Sequence, residues 1–294
     1  MNKVAAVVVT YNRIELLKEC IKALQQQIYP CDILIVDNAS TDGTEEYINK
    51  IEKDYDNLYY RNTGANIGGA GGFNFGMRWA VEAGYEYIWV MDDDCLPYAD
   101  ALEKLINADE TLKGDYGWLS SLVLWKDNKI CPMNVQRANP FKDIANFNTR
   151  LVEAKMASFV SLFIMASIIK EYGLPIKEFF IWTDDWEFTR RISISEKCFV
   201  VTSSKVIHAM NSKKVVNIAG DSKDRLERYR HFYRNDVYLY RREGIIGWIW
   251  LMMKDVWHIV QVLYKSDDKL EKIKIILSGF YQGIKFKPII EKIK

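Results

Sequence analysis

The sequence predicts an α/β fold: a mostly parallel central sheet flanked by helices, with a helical appendage at the C-terminal end. Three observations predict it. Strand and helix patterns alternate through the first hundred residues, the signature of βαβ units. The leading run, KVAAVVV (3–9), is apolar throughout, as a strand buried on both faces is. Polar clusters follow three of the strand patterns, and ligands bind at the carboxyl ends of strands in such sheets.

The elements follow in order. NRIELLKECIKALQQQ (12–27) places Ile14, Leu17, Cys20, Ile21 and Leu24 at helical spacing, with Asn12 and Glu15 in the pattern of a cap and its reciprocal partner. DILIVDN (32–38) is a second strand, STDGTEEYINKI (40–51) a turn and helix, and NLYYRN (57–62) a short third strand. GGFNFGMRWAVEAG (71–84) reads as a helix approached through glycines, and YEYIWVM (85–91) as a fourth strand. WLSSLVLW (118–125) and MASFVSLFIM (156–165) look like strands, separated by a polar, poorly periodic stretch at 126–155. WTDDWEFTRRISISE (182–196) is a helix with acids in its first turn, where the helix dipole favours them. CFVVTSSKVIHA (198–209) is a further strand.

From about residue 221 the character changes. A charged, tyrosine-rich helix (224–244) precedes the strongly apolar stretch 245–264, which Lys254, Asp255 and His258 interrupt. Residues 265–294 hold eight lysines against four acids. The expected organisation is therefore 1–220, in halves of about 1–100 and 101–220, followed by a helical region at 221–294.

Composition narrows the function. At 49% hydrophobic and 27% charged, the 294-residue chain has the make-up of a folded globular protein. A net charge of +1 gives no field that favours nucleic acid. Five scattered cysteines without C-x-x-C spacing point to reduced thiols in a cytoplasmic setting. The N-terminal apolar run is too short for a signal peptide, and no long uncharged apolar stretch predicts a transmembrane span.

VMDDDC (90–95) sets Asp92, Asp93 and Asp94 in a row after a buried strand. Their desolvation is costly unless a positive charge sits among them. A carboxylate cluster at a strand end suits magnesium or manganese, which take oxygen ligands and substrate phosphates. In an extended segment Asp92 and Asp94 face the same way and Asp93 faces elsewhere. The competing reading is a solvated acidic turn.

VVVTYNR, ILIVDNASTDGT, NIGGAGGFNFGM and WVMDDD, in this order and spacing, resemble an inverting family 2 glycosyltransferase of the GT-A nucleotide-diphospho-sugar transferase fold. The resemblance covers about residues 3–100 closely and resumes at FFIWTDDWEFTRR, VIHAM and YRHFYRN. NIGGAGGF together with IWTDDWE is most similar to the galactofuranosyltransferase and rhamnosyltransferase branches, and the doubled glycine pairs favour the first.

The resemblance implies a donor, a cation and an acceptor. Thr10, Tyr11, Arg13, Asp37, Asn66, Gly68, Asp92 and Asp93 would bind a nucleotide-diphosphate sugar, a UDP-sugar by preference. Arg13 would pair with phosphate, and Asp37 would accept from the base. The glycines after Asn66 equally suit a tight approach to a helix. Asp92, Asp94 and His208 would hold Mn2+ or Mg2+ against the departing diphosphate. Asp185 would be the base that deprotonates the acceptor, with Trp182, Asp184 and Glu187 holding acceptor hydroxyls. On charge alone those acids read as helix capping; the flanking Trp182 and Trp186, able to stack on sugars, favour the site. Arg234 and Asn235 face the donor diphosphate or the acceptor, or else their helix only packs the appendage onto the core.

The implied activity is transfer of a galactofuranosyl unit to a lipid-linked or growing surface glycan. A rhamnosyl transfer from dTDP-rhamnose is the alternative; a nucleotidyltransferase or a non-catalytic glycan-binding protein lies further off. Trp248, Trp250, Trp257 and Tyr264, with lysines nearby, suit an interfacial helix at the inner face of the cell membrane. The same helices are open to a second copy of the chain, as a homo-oligomer contact.

Overall fold

The structure, a computed structural model, describes residues 3–210 and 217–293. Lys294, the last of the C-terminal lysines, lies outside the described residues. In chain order, β1 (Val4–Thr10), α1 (Ile14–Gln25), β2 (Asp32–Asp37), α2 (Thr44–Ile51), β3 (Leu58–Asn62), α3 (Gly68–Glu82) and β4 (Tyr87–Asp92) build the first half. β5 (Cys95–Pro97), α4 (Ala101–Leu112), β6 (Leu119–Leu124), β7 (Arg137–Asn139), β8 (Lys142–Asp143) and β9 (Leu151–Glu153) follow. β10 (Leu162–Met165), α5 (Ala166–Tyr172), α6 (Asp184–Ser193) and β11 (Phe199–His208) complete the core. α7 (Leu226–Tyr240), α8 (Gly244–Lys265) and α9 (Lys269–Lys285) form the helical end.

The main sheet runs β3-β2-β1-β4-β10-β6-β11-β5, with β9 joined to β11. Its first four strands are parallel, as the alternating pattern predicts. Beyond β4 the expectation of a mostly parallel sheet needs correction. β10 runs antiparallel to both β4 and β6, and β5 and β9 run antiparallel to β11. Only β6 and β11 pair in parallel there. The sheet is mixed because the chain enters β10 from an irregular stretch and not through a crossover helix.

Burial explains the strand signal. In β1, Val4, Ala6 and Val8 join the core on one face, while Ala5, Val7 and Val9 join the core on the other. A strand covered on both sides has no polar face to alternate with. On α1 the predicted stripe is buried at Leu17, Cys20, Ile21 and Leu24. Asn12 does not cap that helix. Its backbone sits at φ +53° and its Oδ1 accepts from Thr41 N at 2.7 Å, while Asp42 Oδ2 takes the Ile14 N–H at 2.9 Å. All five cysteines are buried and unpaired.

The C-terminal helices pack closely on one another. A Cβ on Gly279 would stand 2.6 Å from Tyr233 Cβ, and one on Gly283 would stand 2.5 Å from Val237 Cβ, so α9 lies directly on α7. The segment after α9 returns to the core: Glu291 bonds to Arg78 at 2.9 Å and Lys177 at 2.6 Å, and its carbonyl accepts from Leu174 N at 2.8 Å. Two tryptophans expected at an interface turn inward. Trp248 packs edge-on against Phe280 and Trp250 against Phe141, whereas Trp257 and Tyr264 are exposed. Among the described residues no helix is long and apolar enough to cross a membrane.

Candidate active site

The three aspartates lie where β4 ends in the middle of the sheet. Asp92 is the last strand residue, and residues 93–94 form a turn. The turn overrides the expected in-and-out alternation. Asp93 and Asp94 therefore share one cation, Arg13, whose Nη1 donates to Asp93 Oδ1 at 2.9 Å and to Asp94 Oδ2 at 2.8 Å. Thr10, at the end of neighbouring β1, donates from Oγ1 to Asp93 Oδ2 at 2.8 Å. Arg13 thus answers the charge problem the sequence poses; in this state it is held by carboxylates and is not free for a phosphate.

His208 arrives from the far end of the chain. β11 pairs with β5 so that His208 faces Cys95, and Ala209 N donates to Asp94 O at 2.8 Å. His208 Nε2 then stands 3.1 Å from Asp94 Oδ1. Burial and the Asp94 charge push Asp92 up to about 7. Burial pushes Asp93 to about 6 against the pull of Arg13. Burial acts upward on Asp94 too, but His208 and Arg13 outweigh it and hold that carboxyl below its ordinary value. Burial opposes charge on His208, yet Asp94 lifts it to about 10.

Part of this donor set suits a divalent cation. Asn134 Oδ1 lies 2.8 Å from His208 Nδ1 and also accepts from Cys131 Sγ at 3.1 Å, while Asn134 Nδ2 donates to Ser158 Oγ at 3.1 Å. That arrangement fixes Asn134 as an acceptor towards the ring and puts the proton on Nδ1. In this state the His208 ring is charged and its Nε2 pairs with Asp94 Oδ1. A divalent cation that displaced the Nε2 proton would find that nitrogen and the buried Oδ1 side by side, and would complete its shell with phosphate and water. Asp92 does not close the set: among the described residues no three His, Cys, Asp or Glu side chains are spaced to hold an ion. The expected trio is a pair, Asp94 and His208, with Asp92 alongside.

The helix α6 carries the second group of acids. It follows a strained loop in which Phe180, Trp182 and Thr183 all have positive φ (+63°, +62° and +70°), costly for residues with a Cβ. The loop is gripped by α7 and by the start of α3. Asn235 Nδ2 donates to the carbonyls of Phe179, Ile181 and Trp182 at 2.9 to 3.1 Å. Thr183 Oγ1 donates to Asp236 Oδ1 at 2.9 Å, and Ala70 N to Phe180 O at 3.1 Å. Arg234 Nη2 donates to Glu178 O at 2.6 Å. The Arg234–Asn235 pair therefore serves packing: it is the buckle that aims α6.

At the start of α6, Asp185 is half-buried and its Oδ1 accepts the Trp186 N–H at 2.7 Å. Burial, then the charges of Asp184 and Asp92, raise its carboxyl well above the ordinary range. The charge of Asp92 reaches Asp185, so the start of α6 lies on the same side of the sheet end as the β4 acids. Burial likewise raises Asp184 to about 7, against the helix N–H groups. Glu187 departs from expectation. It is 1% exposed and paired with Arg191 at 3.2 Å and Arg242 at 3.3 Å, so it ties helices together and is closed to an acceptor hydroxyl. Trp182 is half-buried against Tyr229 and Phe232, and Trp186 lies under the Arg137 guanidinium, 3.4 Å from its ring centre.

The expected donor residues divide. Tyr11 is 42% exposed and open to a base, and Asn66 is exposed. Asp37 is fully buried, held by Tyr60 Oη at 2.8 Å and Ser40 N at 2.9 Å, which leaves it a wall position. Gly68 lets α3 approach the loop before α6: at φ +75°, a Cβ there would sit 2.1 Å from Phe180 O. Thr183, Asn134 and Asp236 carry weight that no motif announces. Thr183 is hidden because a positive φ at threonine leaves no trace in sequence.

Residues 5–119 match the model of the family described as Glycosyl transferase family 2. The chain is 32% identical over 111 residues to an undecaprenyl-phosphate mannosyltransferase of Micrococcus luteus, covering 37% of this chain and 45% of that protein. It is 37% identical over 95 residues to galactofuranosyltransferase GlfT1 of Mycolicibacterium smegmatis, covering 32% of this chain and 30% of that one. The matched segments thus span less than half of either relative. A solved structure of the mannosyltransferase PcManGT from Pyrobaculum calidifontis, in complex with GDP-Man and Mn2+, superposes with a TM-score of 0.56 at 15% identity. That match covers 95% of this chain and 69% of that one, and its likeness is one of fold, the GT-A fold.

Proposed function

We propose, from the match of residues 5–119 to the family 2 glycosyltransferase model, that this chain moves a sugar from a nucleotide-diphosphate donor to a lipid-linked or growing glycan. Galactofuranose from a UDP-sugar is the favoured unit, supported by the doubled glycine pairs and by the similarity to GlfT1. The work would take place at the inner face of a membrane, where a lipid-linked acceptor is presented. One observation carries the reading: at the carboxyl end of β4, within the segment that matches the family, Asp93 and Asp94 converge on Arg13 while His208 from β11 stands 3.1 Å from Asp94 Oδ1.

The residues divide the chemistry between them. A divalent cation held by Asp94 and His208 would neutralise charge on the departing diphosphate. Tyr11 packs on the base at the open edge of the crevice. Asp93, fixed by Thr10 and Arg13, sets the floor. Asp185 takes the proton of the acceptor hydroxyl as its oxygen bonds to the anomeric carbon and the bond to the diphosphate breaks. Its raised affinity for a proton suits a base, and the Trp186 N–H aims the carboxyl. Displacement in one step inverts the anomeric centre.

The test separates binding from chemistry. UDP with Mn2+ at a hundred times its dissociation constant should stabilise the chain by about 2.7 kcal/mol in a thermal shift. Asp185→Asn should keep that shift and lose about 100-fold or more in transfer from UDP-galactofuranose. Turnover within tenfold of the parent would remove Asp185 from the base role. Transfer from dTDP-rhamnose in place of the UDP-sugar would reassign the donor.

A further inference from the structure

We propose that the outward face of α8, extended by α9, docks on the surface of an anionic lipid bilayer. Between Ile245 and Tyr264 the exposed side chains are Ile245, Ile246, Ile249, Met252, Met253, Val256, Trp257, Leu263 and Tyr264, and not one is charged. They recur every three or four residues from Ile245 to Trp257 and return on the same face at Leu263 and Tyr264, a stripe about 28 Å long. The helix's two charged interior residues face the other way: Lys254 pairs with Asp236, and Asp255 is buried. α9 adds Leu277 and Tyr281 to the exposed apolar surface. A folded chain seldom leaves such a continuous apolar surface to water.

Charge identifies the occupant. Among described residues 244–293 the exposed cations are Lys265, Lys269, Lys274, Lys285, Lys287 and Lys292, against only two exposed acids, Asp267 and Glu271. A second copy of the chain, meeting this one by two-fold symmetry, would bring six lysines against six. An anionic headgroup layer neutralises them instead. Trp257 and Tyr264 on the exposed stripe have the ring chemistry of the headgroup depth. No described helix can span a bilayer, so α8 lies in the interface plane.

The proposal rests on the transferase reading only for its purpose, since vesicle binding is read without donor or turnover. The full chain should co-sediment with vesicles of phosphatidylcholine and phosphatidylglycerol, and more weakly with phosphatidylcholine alone. Ile249→Glu with Val256→Glu, both exposed and so neutral to folding, should lower partitioning about 100-fold or more. Lys269→Glu with Lys274→Glu should lower it about tenfold or more on the mixed vesicles. Circular dichroism checks that each variant is folded, and the lysine pair reads the same surface should the first pair not fold. A parent chain left in the supernatant overturns the proposal. So does undiminished binding by both variants, or a dimer in sedimentation velocity that Ile249→Glu with Val256→Glu dissociates.

Discussion

Asp255 occupies the joint between α7 and α8 with both carboxylate oxygens buried and unbonded. Burial raises its carboxyl to about 7, with Lys254 pulling the other way. Nearby, burial and then Lys254 push His258 down to about 4, and its Nδ1 lies 2.9 Å from Tyr233 Oη. The two act oppositely on stability. Between about pH 4 and 7 the folded chain holds more protons on Asp255 than the unfolded one, so that residue's contribution falls as pH rises. Between about pH 4 and 6.5 the unfolded chain holds more protons on His258, so its contribution rises. Asp255→Asn removes the first and leaves the second. Relative to the parent, the variant should gain about 1.4 kcal/mol per pH unit across that window, read by urea denaturation at a series of pH values. Parallel curves for the two proteins would show Asp255 equally charged folded and unfolded. At this scale, sequence was informative about residue type and silent about direction. The acids at 92–94 and 184–187 could be singled out because charge after an apolar strand or at a helix start needs a reason. That Arg13 would neutralise Asp93 and Asp94, or that Glu187 would turn to two arginines, depends on contacts between distant segments.

The elements that aim the crevice are α6 and α7. Lys254 reaches from α8 to Asp236, and Asp236 holds Thr183 at the strained start of α6. Lys254→Met would leave Asp236 buried without its cation, and should cost about 3–5 kcal/mol in chemical denaturation. A loss below about 1 kcal/mol would mean the pair adds nothing beyond a well-packed apolar contact. Gly283→Val tests the α7–α9 seam: a Cβ there meets Arg234 O at 2.7 Å. It should lower stability by about 1–3 kcal/mol, measured the same way. β1 and β2 were legible as unbroken apolar runs, because the sheet is covered on both faces there, and α1 by its one buried stripe. The strand expected at 156–165 shrinks to β10, Leu162–Met165, and the 126–155 stretch contains β9, which adds itself to β11. Short strands without alternation carry little period to read.

At the scale of the molecule, the segment after α9 straps the helical end to the core through Glu291, Arg78 and Lys177. Ile290 lies against Gly173, where a Cβ would meet it at 2.6 Å. Ile290→Ala with Glu291→Ala should free this segment, costing about 1–3 kcal/mol and quickening its limited proteolysis. Cleavage at the parent's rate would show the strap to be slack. The mixed order of the sheet has a further consequence. Residues 5–119 hold Asp92 to Asp94, but the imidazole opposite them comes from the final strand, laid beside Cys95 by β5–β11 pairing. During synthesis, the aspartates leave the ribosome long before His208, and Arg13 is the partner that emerges ahead of them. A nascent chain can thus fold its first four strands with their acids neutralised by Arg13, and the imidazole joins them only when β11 slots home.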